Sequence, residues 1–175
     1  MKLLKQSGQN IEKLYNRNFF ARKKSIEEKV RKIIEDVRAN GDDAVIKYTR
    51  RFDKAKLAPR ELKVAEAEIS GAFQNITGDF ISALKTIINN VSTYYRKQLK
   101  KPCSIKSADG VVLKEDIKAI ESVGIYIPAG TAPLVSSVYM TAIPAIIAGV
   151  KRVVIVTPPN AKGQVNPHIL AVANL

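Results

Sequence analysis

Ser122–Pro159, which reads SVGIYIPAGTAPLVSSVYMTAIPAIIAGVKRVVIVTPP, decides the predicted fold. Two apolar runs, Val123–Ile127 and Val153–Val156, are each followed closely by a proline, a pattern typical of buried parallel strands. Between them, apolar residues recur at helical spacing, and Gly149 with the following valine can end the helix. The stretch therefore predicts a strand, a helix and a second strand, which is a βαβ unit.

The loop after the first strand is where such a unit can meet an anion or a cofactor, because this loop and the helix N-terminus face the same crevice. The glycine pattern G-x-G-x-x-G is absent, since Gly130 stands alone in the loop. No carboxylate follows Glu121, so nothing within this unit can hold an adenosine ribose in the usual way. Ser136 and Ser137 can either cap the helix or donate to a phosphate, and capping is the favoured interpretation.

Upstream, the sequence predicts mainly helices. The pattern Ser25-Ile26-Glu27-Glu28 is a capping box, and the helix that it opens ends at Asn40-Gly41. Asp109-Gly110, flanked by β-rich residues, predicts a hairpin. The remaining predicted elements are a helix over Gln9–Phe20, a helix from Asp42 to Phe52, a strand at Leu62–Val64, helices over Glu66–Phe73 and Asp79–Leu99, and a helix opened by Asn166-Pro167.

These elements predict an α/β fold in two regions. Residues 1–104 form a helical N-terminal region, and residues 105–175 form the hairpin plus an incomplete Rossmann-like parallel βαβ domain. The length of 175 residues accommodates one domain, or one domain with a helical arm. Cys103 is the single cysteine, which excludes an internal disulfide, and neither a signal peptide nor a long apolar span is evident. The cytoplasm is therefore the predicted compartment.

The formal net charge of +13 and the pI of about 9.9 are the most unusual features of the composition. They leave open a self-standing basic module that binds an acidic partner or nucleic acid. The sequence contains no paired C-x-x-C motifs, no RNP-type strand and no helix-turn-helix pattern. A solvated basic surface is the favoured interpretation, and nucleic-acid binding is not expected.

Isolated polar residues give weak signals for catalysis or metal binding. His168 is the only histidine, whereas zinc needs three or four converging ligands, so a surface position is favoured. Cys103 has no thiol or histidine near it in sequence. Glu115 and Asp116 are adjacent and point to opposite faces of a strand, which does not suit an acid–base pair.

The central stretch resembles the histidinol dehydrogenase family, whose members carry the run V-G-L-Y-V-P-G-G-x-A-P-x-x-S-x-x-L-M-x-x-x-P-A-x-x-A-G-V. The resemblance extends over nearly the whole chain but over well under half of the family's length. The positions of this sequence that match the run are Val123, Gly124, Tyr126, Pro128, Gly130, Ala132, Pro133, Ser136, Met140, Pro144, Ala145, Ala148, Gly149 and Val150.

The resemblance implies an enzyme that oxidises L-histidinol to L-histidine with NAD and zinc, and that works as a homodimer. Tyr126, Pro128 and Gly130 match the cofactor-binding positions, although Ala129 stands where relatives usually have glycine. The family's zinc ligands and its Glu–His catalytic pair lie beyond the matched part. The resemblance therefore implies no catalytic or metal residues in this chain, and the chain alone is predicted to be inactive.

Overall fold

A computed structural model describes residues 24–129 and 132–175 of the chain. Its contacts divide the chain into two units, Met1–Val45 and Ile46–Leu175. Helix α1 spans Lys24–Phe52 and is interrupted at Gly41, where φ of 52° and ψ of −130° lie outside the helical region. The predicted helix end at Asn40-Gly41 is thus confirmed as a break between two helical segments. The helix predicted over Gln9–Phe20 lies outside the described residues.

The second unit contains the remaining elements. A 3₁₀ turn at Pro59–Glu61 stands just before the strand predicted at Leu62–Val64, and that prediction is wrong. The Ala58 N–H donates to the Glu61 carboxylate at 2.7 Å, and Pro59 favours a turn, so local bonding stabilises a turn instead of a strand. The other elements are α2 (Glu66–Ala72), a 3₁₀ turn (Phe73–Asn75), α3 (Gly78–Gln98), β1 (Cys103–Lys106), β2 (Val112–Glu115), β3 (Ser122–Tyr126), α4 (Val135–Ile147), β4 (Arg152–Val156) and α5 (Pro167–Asn174).

Strands β3 and β4 are parallel and joined by α4, which confirms the predicted βαβ unit. Their register runs from Ser122 opposite Arg152 to Tyr126 opposite Val156. The Ile127 N–H donates to the Val156 carbonyl at 2.8 Å and extends the pairing by one residue. Both predicted strands therefore end at the same edge of the sheet.

The predictions for the two ends of α4 have different outcomes. At the C-terminus, Gly149 has φ of 90° and donates to the Ile146 carbonyl, while Val150 donates to the Ala145 carbonyl, which is the predicted glycine termination. At the N-terminus the prediction of a serine cap is wrong. The cap residue is Leu134, which makes no side-chain hydrogen bond, and the helix therefore already includes Ser136 and Ser137 in its first turn.

The hairpin predicted around Asp109-Gly110 is confirmed, because β1 and β2 pair antiparallel. The Ser107 N–H donates to the Val111 carbonyl at 2.9 Å, and Gly110 takes φ of 87° in the turn. Every residue of both strands is exposed.

The core lies on one face of the parallel pair. Ile125 and Ile127 of the β3 segment are buried there, and α3, α4 and α5 pack over them. The opposite face carries Tyr126, Val154 and Val156, which are all exposed. The fold is therefore of the predicted α/β class, with a βαβ unit that is covered on a single side by described residues. The other members of the core cluster are Leu84, Val138, Ile169 and Val172.

The helix α3 reaches into this core although it precedes the predicted boundary between residues 104 and 105. That boundary remains a prediction. Within the described residues, each helix is too short or too polar to cross a bilayer.

Candidate functional site

A cleft of about 720 Å³ opens where β3 and β4 end. Ala129, which follows β3, and Pro158, which follows β4, both line it. Parallel strands present their carboxyl ends to the same crevice, and ligands of open α/β sheets bind there. The cleft therefore lies at the edge of the sheet where the sequence predicts a ligand site.

Two further segments complete the wall of this cleft. One is the end of α2 with the 3₁₀ turn that follows it, and the other is the loop between β4 and α5. Helix α2 is held there because it packs against α5. The lining residues from these segments and from α5 are Glu68, Gly71, Ala72, Gln74, Asn75, Asn160, Gly163, Gln164, Val165, Asn166, Pro167 and Leu170.

The loop between β4 and α5 is fixed by its own side chains. The Asn160 carboxamide oxygen accepts from the backbone N–H groups of Lys162 and Gln164, at 2.9 and 3.1 Å. Asn166 caps α5, because its side-chain oxygen accepts from the His168 N–H at 2.9 Å. This wall of the cleft is consequently built before any ligand enters, which lowers the entropic cost of binding.

Two of the three predicted cofactor residues, Tyr126 and Pro128, are among the described residues. Tyr126 ends β3 and is 66% exposed on the open face of the sheet, and Pro128 is exposed in the segment that follows. Neither residue lines the cleft, whereas Ala129 does. Gly130 lies outside the described residues. The cofactor role of Tyr126, Pro128 and Gly130 stays a prediction.

The carboxyl end of β4 carries a polar group without a partner. The Thr157 hydroxyl is buried and makes no hydrogen bond to any described residue. Buried polar atoms usually have a partner, so an unpaired hydroxyl next to Pro158 is available to a water molecule or a ligand.

The remaining polar candidates are dispersed. His168 is half-buried and its ring meets that of Phe80 edge-to-face, with centroids 4.8 Å apart, so the favoured surface position is only partly realised. Cys103 is exposed on β1. Asp116 forms an exposed ion pair with Lys118 at 3.4 Å. In the described ranges, no three His, Cys, Asp or Glu side chains converge to hold a metal ion.

The sequence of the chain matches a known protein family. Residues 17–175 match the family model described as Histidinol dehydrogenase. The chain belongs to the histidinol dehydrogenase family. The histidinol dehydrogenase of Clostridium acetobutylicum is 42% identical over 146 residues, which are 83% of this chain and 33% of that relative. The histidinol dehydrogenase of Carboxydothermus hydrogenoformans is 38% identical over 173 residues, which are 99% of this chain and 40% of that relative.

A solved structure agrees with these sequence matches. The crystal structure of histidinol dehydrogenase from Elizabethkingia anophelis superposes with a TM-score of 0.79 at 33% identity, over 99% of this chain and 36% of that one. The chain thus spans roughly a third of the length of the relatives that it matches, and it corresponds to an N-terminal part of the enzyme. The resemblance predicted from residues 122–159 is confirmed.

The resemblance implies two cofactors, NAD and zinc. The cleft lies at the carboxyl ends of parallel strands, where α/β folds bind nucleotides, and it has the volume of a small-molecule site. Zinc does not fit the described residues, since they supply no convergent set of ligands.

Sequence reasoning missed Glu68 and the amide-rich wall of the cleft. Glu68 accepts a hydrogen bond from the Val165 N–H at 3.4 Å, across 97 positions of sequence. The only sequence signal for α2 was its short helical pattern, which does not reveal that the helix packs beside the βαβ unit.

Proposed function

We propose that the chain is the cofactor-side, N-terminal part of an NAD-dependent histidinol dehydrogenase, which oxidises L-histidinol to L-histidine. The observation that carries this proposal is the family match over residues 17–175, in a chain whose matching motif runs into a cleft at the carboxyl ends of β3 and β4. The family resemblance also supports a cytoplasmic homodimer as the complete enzyme.

NAD, when bound, supplies the acceptor for the hydride of the alcohol. The chain's own contribution is to bind and orient that cofactor. Tyr126 is exposed at the end of β3, and the resemblance assigns Pro128 and Gly130 to cofactor binding together with it. Ala129 lines the cleft and carries a methyl group where relatives usually have glycine, which narrows the space available to a phosphate.

The chain on its own is expected to have no turnover. Alcohol oxidation needs a base for the hydroxyl proton and a group that polarises the oxygen, and the family uses a Glu–His pair and zinc for these tasks. With a single histidine, half-buried against Phe80, this chain does not supply either group.

Two proteins test this proposal. One is the purified chain, and the other is the chain fused in frame to the part of the Clostridium acetobutylicum relative that follows the matched region. With NAD, zinc and L-histidinol, we expect the fusion to form NADH and the chain alone to form none. Histidinol-dependent NADH formation by the chain alone would refute inactivity, and a folded fusion without turnover would refute the dehydrogenase assignment.

A further inference from the structure

The βαβ unit has no acidic residue of its own for a ribose. Nucleotide-binding α/β folds usually hold the adenosine ribose with an Asp or Glu that follows the second strand of the unit. In this chain no carboxylate occurs after Glu121, so neither β4 nor the loop after it can provide one.

The structure brings a carboxylate to that position from elsewhere in the chain. Glu68 of α2 lines the cleft together with Pro158 and Asn160, which follow β4. One Glu68 oxygen accepts from the Val165 N–H at 3.4 Å, so the side chain is tied to the loop after β4. The packing of α2 against α5 supports this placement.

The chemistry of the cleft suits the uncharged part of a nucleotide. Among the described residues that line it, Glu68 is the only charged one. A lone carboxylate attracts hydroxyl donors and repels phosphate. Gln74 and Gln164 also line the cleft, and carboxamides of this kind pair well with the edge of adenine.

We propose that this cleft binds the adenosine end of NAD and that the Glu68 carboxylate accepts hydrogen bonds from its ribose hydroxyls. The inference rests on the proposed function, because the cofactor is taken from it. NAD contains two riboses. Because Gln74 and Gln164 can pair with the edge of adenine, we assign the cleft to the adenosine ribose and not to the nicotinamide ribose.

Calorimetric titration of the purified chain tests the proposal with adenosine, 2′,3′-dideoxyadenosine, nicotinamide riboside and NAD. We expect Glu68→Gln to weaken the binding of adenosine and of NAD about tenfold, since a hydrogen bond to a charged acceptor is lost. Binding of dideoxyadenosine should be insensitive to the substitution. Glu66→Gln, on the same helix but outside the cleft, is the matched control and should bind like the unmodified chain.

If Glu68 has only a structural role, Glu68→Gln should weaken the binding of all the ligands alike, and that result would overturn the proposal. So would unchanged binding in Glu68→Gln, a Glu68-dependent preference for nicotinamide riboside, or no binding of adenosine and NAD by the unmodified chain. The proposed function fails separately. If the fusion does not oxidise L-histidinol while Glu68-dependent adenosine binding persists, the function is wrong and the adenosine site stands.

A second readout uses the phosphate of NADP. Because a carboxylate repels a 2′-phosphate, the unmodified chain should prefer NAD over NADP, and Glu68→Gln should narrow that preference. An unchanged ratio of the two dissociation constants in Glu68→Gln would contradict the proposed contact.

Discussion

Tyr126 is 66% exposed at the end of β3, on the open face of the sheet. If this ring stacks on the cofactor, Tyr126→Ala in the fused enzyme should raise the KM for NAD about tenfold, because an aromatic contact is lost. Tyr126→Phe keeps the ring and should change this KM little. Tyr94, which is 62% exposed on α3, gives the control Tyr94→Ala. Equal KM values for NAD in Tyr126→Ala and the unmodified fusion would remove Tyr126 from the site.

Asp109 in the hairpin turn has a lowered pKa. The Ser107 hydroxyl donates to its carboxylate, and this bond, with backbone N–H groups of Asp109 and Val111, lowers the pKa of Asp109 below its ordinary value of 3.8. A lowered pKa in the folded state stabilises the hairpin above the unfolded-state pKa, and the contribution disappears as the pH falls through the folded-state pKa. The carbon-13 signal of the Asp109 carboxyl should therefore titrate below pH 3.8.

Ser107→Ala should move that midpoint up toward 3.8, because it removes the largest cause of the lowered pKa. Ser104→Ala on the neighbouring strand β1 is the control and should leave the midpoint unchanged. A midpoint at or above 3.8 in the unmodified chain would contradict the turn geometry.

The C-terminus of α4 shows how one element sets the direction of the chain toward β4. Gly149 takes φ of 90°, and a Cβ built there would lie 3.5 Å from the Ala119 Cβ, which is ordinary contact. The cost of Gly149→Ala is therefore in the backbone, and we expect about 1 kcal/mol of destabilisation. Gly71→Ala is the matched control, because Gly71 lies in α2 with open space around it. That variant should be neutral or slightly stabilising.

Urea unfolding followed by circular dichroism measures both glycine variants. If Gly149→Ala were as stable as the unmodified chain, the left-handed position would not matter to the end of α4.

The elements differ in how much of them is predictable from sequence. Strands β3 and β4 and the end of α4 follow from local patterns, since apolar runs, prolines and a glycine fix them within a few residues. The start of α4 does not, because Leu134 caps it without a side-chain bond and leaves no signal. The position of Glu68 in the cleft cannot be predicted from local sequence patterns, since it depends on packing between α2 and α5.

In the second unit, the parallel pair has one apolar face whose side chains are largely exposed among the described residues. Val154 is 40% exposed and Val156 is 54% exposed, next to Tyr126. Parallel sheets normally bury both faces, and the chain spans only about a third of its relatives. The isolated chain should therefore self-associate and bind the dye ANS through this face.

The double variant Val154→Lys and Val156→Lys tests this expectation, because two lysines on the face repel a second copy and oppose apolar contact. We expect it to shift the chain toward monomer in sedimentation equilibrium and to reduce ANS fluorescence severalfold. Leu99→Lys, at an apolar residue outside the parallel pair that is 51% exposed, is the control and should change neither measurement. A strictly monomeric chain without ANS binding would contradict self-association through the exposed apolar face. Equal self-association of the double variant and of Leu99→Lys would assign the contact to another surface.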